Sequence, residues 1–199
     1  SARSIDPTRM RSVRIDGLPV TDPVLTWLTL GRTYDVPWLV SVGDALVTRA
    51  DNYPGLRGPR PACSIDDLSA GVASWGTMAG IGRLRLALPL VRTGVESPWE
   101  SITRVLLVDG GLPEPEINGD VEHEGGFVAR PDLLYRDARV AIQYDGDGHR
   151  SDRAQWQADL ARDARLRAIG WEVIHVTQET LTEPWRLVAL VRSVLDARS

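Results

Sequence analysis

The clearest alternation of apolar and polar positions runs from Val140 to Asp145, where Val140, Ile142 and Tyr144 alternate with Ala141, Gln143 and Asp145. A period of two predicts a half-buried strand, apolar on one face and carrying the Gln143 amide and the Asp145 carboxylate on the other. Phe127 to Tyr135 reads as its partner strand, and Arg136-Asp137-Ala138-Arg139 as the polar turn between them. Any short loop of this kind sets Asp132 opposite Gln143, Tyr144 or Asp145. Cross-strand neighbours stand roughly 5 Å apart at Cβ, so Asp132 and Asp145 are expected to converge.

The rest of the pattern is mostly helical. Before Gly17-Leu18-Pro19, which is expected to break it, Arg11 to Ile15 reads as a strand. Thr21 is the expected N-cap of a helix with Pro23 in its first turn, and Leu25, Leu28 and Leu30 form its apolar stripe. A second helix is expected from Pro37 to Arg49, then a Gly-, Pro- and Arg-rich linker over 52–63. Ser64 and Asp67 form a capping box for a third helix, and Ile81, Leu84, Leu86 and Leu88 mark a fourth. These elements predict a helical N-terminal domain over 1–95 and an α/β domain over 96–199. Ser97-Pro98-Trp99-Glu100 is a further capping box, which gives Glu100 a structural reason to be acidic. The segment with Glu122, His123 and Glu124 reads as a solvated hairpin. Ser151 is expected to cap a helix ending near Gly170, where Asp159 and Asp163 share a face. Trp171 to Thr177 then alternates as a strand carrying His175, read as structural, and Thr182 is expected to cap the last helix.

Composition narrows the chemistry. The 199 residues include 43% hydrophobic and 25% charged, a globular balance, and no apolar run approaches membrane-spanning length. The N-terminus lacks a charged-then-apolar leader pattern, so a cytoplasmic protein without membrane association is expected; starting at Ser1, it reads as processed or as a fragment. Cys63 is the only cysteine, which excludes a disulfide framework and a cysteine zinc site. All 23 basic residues are arginine, and the net charge is −4. That balance argues against a broadly basic nucleic-acid coat and leaves local arginine patches to decide binding.

Arg130-Pro131-Asp132, Gln143-Tyr144-Asp145-Gly146 and His149 together resemble the core motif of the PD-(D/E)XK nuclease superfamily. The nearer resemblance is to actinobacterial proteins related to very-short-patch-repair endonucleases, with an antitoxin-like N-terminal region. Trp156, Asp159, Arg162, Leu166, Gly170 and Trp171 fit the same pattern downstream. The resemblance spans Ser97 to the C-terminus and implies a restriction-endonuclease-like mixed sheet flanked by helices. Two positions depart from the motif: Gln143 stands where an acidic residue is expected, and Asp145 where a lysine is.

The resemblance implies a Mg²⁺- or Mn²⁺-dependent DNA endonuclease. Asp132 and the Tyr144 backbone carbonyl would hold the ion, with Asp145 and Glu100 adding charge. His149 would act on the water, oriented by Asp159, and Gln143 would add a neutral oxygen ligand. Arg130, Arg150, Arg153 and Arg162 would contact phosphates. The expected partner is DNA, with a second copy of the chain or a toxin–antitoxin partner as further possibilities. The alternative is a nuclease-like DNA-binding or antitoxin-type regulator that does not cut. A protein-interaction domain is a third reading.

Overall fold

A computed structural model describes residues 12–49, 60–146 and 153–198, with 153–156 as backbone only. The chain is mixed α/β, with helices and small sheets, and divides into two units, Ser1–Ser101 and Ile102–Ser199. Among the described residues no helix is long and apolar enough to cross a membrane.

The first unit opens with a hairpin rather than a lone strand. Strands β1 (Ser12–Ile15) and β2 (Leu18–Thr21) pair antiparallel, with Ile15 opposite Leu18. Asp16 and Gly17 form the two-residue loop, at φ 51° and 79°. Two consecutive positive φ angles are what a tight hairpin turn requires, and Asp-Gly supplies them at little cost. The Gly17-Leu18-Pro19 stretch therefore reverses the chain instead of ending the sheet.

Helices α1 (Pro23–Leu30), α2 (Val36–Val47), α3 (Ile65–Ser74) and α4 (Ile81–Ala87) follow, with a short 3-10 turn at Leu88–Leu90. The α1 cap is Asp22, whose Oδ1 accepts the Leu25 N–H at 3.1 Å, because Thr21 is committed to the β2 ladder opposite Ser12. Asp35 caps α2, and the Ser64–Asp67 capping box forms as expected at α3. Trp27, Leu28, Leu39, Val40, Leu68 and Leu84 make the buried centre of this unit. Fully buried Asp44 ties α2 to the following segment by accepting the Arg92 N–H and the Ser101 hydroxyl, both at 2.7 Å.

Helix α5 (Pro98–Asp109) leads into the second unit, where strands β3 (Glu116–Ile117), β6 (Leu133–Tyr135), β7 (Val140–Tyr144) and β8 (Glu172–Val176) form one sheet in that order. Its pairs are antiparallel, antiparallel and parallel. Strands β4 (Val121–His123) and β5 (Gly126–Ala129) form a separate hairpin, the expected solvated one, with His123 and Glu124 both exposed. The expected strand over 127–135 is thus two strands. Pro131 cannot donate to a ladder, and the chain leaves one pairing at Ala129 and enters another at Leu133.

Helix α6 (Arg153–Ala168) crosses from β7 to β8, ending before Gly170 at φ +86°. Helix α7 (Gln178–Thr182) precedes α8 (Pro184–Asp196). Thr182 closes α7 rather than capping α8, because Thr177 and Thr180 cap α7 reciprocally and Pro184 restarts the helix.

One sheet face packs Leu133, Ile142 and Val176 against Leu107, Leu187 and Val191. The other packs Leu134, Ala141 and Val173 against Leu166 and Trp171. β7 is therefore buried on both faces, not half buried, and even Gln143 is only 5% exposed. A central strand covered on both sides has no solvent face on which to place its alternate residues.

Candidate functional site

Register decides which polar groups meet at the C-terminal end of β7. Leu133 pairs with Ile142, so Asp132 comes level with Gln143 on the face that α6 covers. Asp132 Oδ2 accepts the Tyr144 N–H at 2.7 Å, and the Asp132 carbonyl accepts the Asn118 N–H at 2.9 Å. The first acidic residue is thereby fixed against the Tyr144 peptide.

On the other edge Gln143 pairs with His175, and the Asp145 N–H extends the parallel ladder to the Val176 carbonyl at 2.8 Å. Residues 141, 143, 145, 173 and 175 share one face by the two-residue period. Helix α6 presents Asp159, Arg162 and Asp163 to this region; one turn separates Asp159 from Asp163.

Two chains of polar contacts result. In the first, the Arg162 guanidinium donates to Gln143 Oε1 at 2.6 Å and pairs with Asp159 at 3.1 Å. In the second, His175 Nδ1 lies 3.1 and 3.0 Å from the two Asp145 oxygens, while Nε2 lies 2.6 Å from Asp163 Oδ2. Asp163 also pairs with Arg167 at 3.5 Å. An ionised carboxylate only accepts hydrogen bonds, so an imidazole between two of them is favoured as the doubly protonated cation. Burial pushes the His175 imidazole down, but the hydrogen bonds and charges of Asp145 and Asp163 outweigh it, and its pKa lies above the usual histidine value.

Not every polar atom is matched. Gln143 Nε2, Arg162 Nε and Asp163 Oδ1 are buried without a hydrogen-bond partner. Among the described residues no cluster of three or more histidine, cysteine, aspartate or glutamate side chains is gathered at metal-binding range.

Against the expectations, Asp132, Gln143, Tyr144 and Asp145 collect at one strand end, and Asp159 and Arg162 join them from α6. Arg162 turns onto the sheet instead of outward to phosphate, and Asp159 pairs with it at 3.1 Å. At the start of α5 the Glu100 N–H donates to Ser97 Oγ at 3.2 Å, the serine half of the expected capping box, while Glu100 Oε2 accepts the N–H of Glu96, one residue before the cap, at 3.0 Å. Arg130 is exposed, with Nε donating to the Asn118 carbonyl at 2.9 Å. His149 and Arg150 lie outside the described residues, as does the side chain of Arg153.

His175, read as structural and indeed hydrogen-bonded at both ring nitrogens, and Asp163, noted only for sharing a face with Asp159, are not assigned to the site by the sequence, yet the structure brings both to it. Their signal was present in the two periods, 143 with 175 across a parallel pair and 159 with 163 along a helix, but only the register unites them. Cys63 has no such setting. Burial first, then the charges of Asp67 and Asp22, push its thiol up to about 11, the opposite of an activated nucleophile.

The chain is similar to two proteins of Mycobacterium tuberculosis, uncharacterized protein Rv2248 and uncharacterized protein MT2308, from two strains. Each is 29% identical over 187 residues, which cover 94% of this chain. The chain spans 65% of the length of each of these relatives. No protein-family model matches it, and no solved structure matches it significantly.

Proposed function

We propose that the second unit is a restriction-endonuclease-like module that hydrolyses phosphodiester bonds in DNA with the help of Mg²⁺ or Mn²⁺. The observation that carries this reading is the hydrogen bond from the Tyr144 N–H to Asp132, which brings an acidic residue to the strand end where Asp145 follows. The donor chemistry fits a hard cation: Asp132, the Tyr144 carbonyl and Asp145 offer oxygen ligands only. When bound, the ion supplies Lewis-acid polarisation of the phosphate and acidifies a water.

The chain's own residues do the rest. Asp132 is held in place by the Tyr144 peptide, and Asp145 by His175, so neither carboxylate has to be ordered when substrate arrives. His149 is assigned the proton from the attacking water. Exposed Arg130 and residues Arg150 and Arg153 are assigned to flanking phosphates.

A second reading has its own observation. The Gln143 oxygen is taken by Arg162 and both Asp145 oxygens by His175, so two candidate ligands already face protein cations. A regulator that binds DNA without cutting it fits those contacts.

Cleavage of short duplexes with Mg²⁺ or with EDTA, alongside binding in EDTA, separates the two. Metal-dependent products that Asp132→Asn removes support the nuclease. Binding that persists in EDTA with no product under any condition overturns it and favours the regulator.

A further inference from the structure

We infer that a groove between α5 and α8 docks a partner protein through an amphipathic helical segment that carries arginine or lysine. The inference is independent of the nuclease reading, and the groove lies wholly within the second unit. Helix α8 has two apolar stripes. Leu187 and Val191 are buried in the core, whereas Trp185, Val188 and Ala189 line a groove of about 620 Å³ with Leu106 of α5. Trp185 is 62% exposed and has Val188 and Ala189 one turn on, so the open apolar surface is contiguous. The floor is a close approach, because a Cβ on Gly110 would stand 2.6 Å from Val188. Beside it the Arg192 guanidinium donates to the Gly110 carbonyl at 2.6 Å, which commits that cation to the end of α5.

Shape and charge select the occupant. From Trp185 to Asp196 the lining follows α8 for about 16 Å at roughly 1.5 Å per residue. Trp185, Ala189, Arg192 and Asp196 are all exposed, so the groove is too open to enclose a small ligand and fits a segment lying along it. Asp109 and Asp196 are the last residues of α5 and α8, where a negative side chain is unfavourable beside the helix C-terminus. Among the described residues neither side chain has a hydrogen-bond or ion-pair partner, so folding does not account for the two carboxylates. With Arg192 given to a carbonyl, they leave the rim negative. A basic side chain on the occupant complements that rim while its apolar face covers Trp185, and a phosphate backbone is disfavoured there.

The test is selection from a random library of peptides about twelve residues long, the length that spans the groove, on the full chain. Enriched peptides are then titrated calorimetrically against wild type, Trp185→Ala and Asp109→Asn/Asp196→Asn. All three positions are exposed, and circular dichroism melting confirms that each variant is folded. Enriched peptides should carry apolar residues three and four apart with an excess of arginine or lysine. Trp185→Ala should raise their Kd about tenfold or more. The double asparagine variant should raise it about threefold at low salt, a difference that fades at about 0.5 M salt.

Peptides without a basic excess, or a Kd that Trp185→Ala leaves unchanged, overturn the inference, as does a library that yields no binder. Wild-type dimerisation in analytical ultracentrifugation that Trp185→Ala abolishes assigns the groove to a second copy and overturns it too.

Discussion

Asp163→Asn isolates the charge in the polar layer under α6 from its shape. Asp163 is 3% exposed, and its Oδ2 lies 2.6 Å from His175 Nε2. Asparagine keeps the size and one acceptor oxygen for His175, loses the negative charge, and puts an N–H donor where the buried, unpartnered Oδ1 lies. Hydrogen bonds to charged groups contribute roughly 1.5–3 kcal/mol and neutral ones 0.5–1.5, so the loss should be about 1–2 kcal/mol while His175 is protonated. The sign of its pH dependence follows from the raised His175 pKa. Stabilisation from a raised imidazole is fully present below the unfolded-state value of roughly 6.5 and is lost as pH rises through the folded value. Urea denaturation followed by tryptophan fluorescence, on wild type and variant at pH 5.5 and pH 9, measures both. The wild-type advantage should be large at pH 5.5 and small at pH 9. Equal losses at the two pH values would refute a charged His175 bridge and leave Asp163 as an ordinary buried acceptor.

Two further outcomes follow from burial. Leu166 is fully buried among Leu134, Ala141 and Trp171, so Leu166→Ala should cost about 2–5 kcal/mol and speed amide exchange along α6 first; a loss below about 1 kcal/mol contradicts its anchoring of that helix. Cys63, with its thiol pushed up to about 11, should react with a disulfide reagent at pH 8 roughly two orders of magnitude more slowly than a free thiol, and comparable rates would show that it is not shielded.

Helix starts were the most legible feature of the chain. Ser64 with Asp67 and Ser97 with Glu100 are local signals, because an N-cap bonds to a backbone group only three residues away. Thr21 misled because Asp22 stands next to it with an equally good oxygen, and only the β2 pairing decides between them. The Asp16-Gly17 hairpin was available from composition alone, yet Pro19 looked like a terminator. Within an isolated pair of strands, proline sits opposite Arg14 without breaking the hairpin.

At the site, the meeting of Asp132 with the end of β7 was readable, since a short loop of any length in the permitted range brings them together. The partners of Gln143 and Asp145 were not. The Arg162, Asp163 and His175 side chains reach them through a parallel pairing and a helix crossover, and nothing local encodes that register. The half-buried expectation for β7 failed for the same reason: alternation reports side-chain polarity, whereas burial depends on what covers the sheet.

The most direct measurement is the nicking of supercoiled plasmid by wild type and by Asp132→Asn of matched stability, with Mg²⁺ present and then chelated. Nicking that needs the ion and disappears in Asp132→Asn is the predicted result. Wild-type nicking that survives chelation, or that Asp132→Asn retains, would contradict a metal-dependent site at the end of β7.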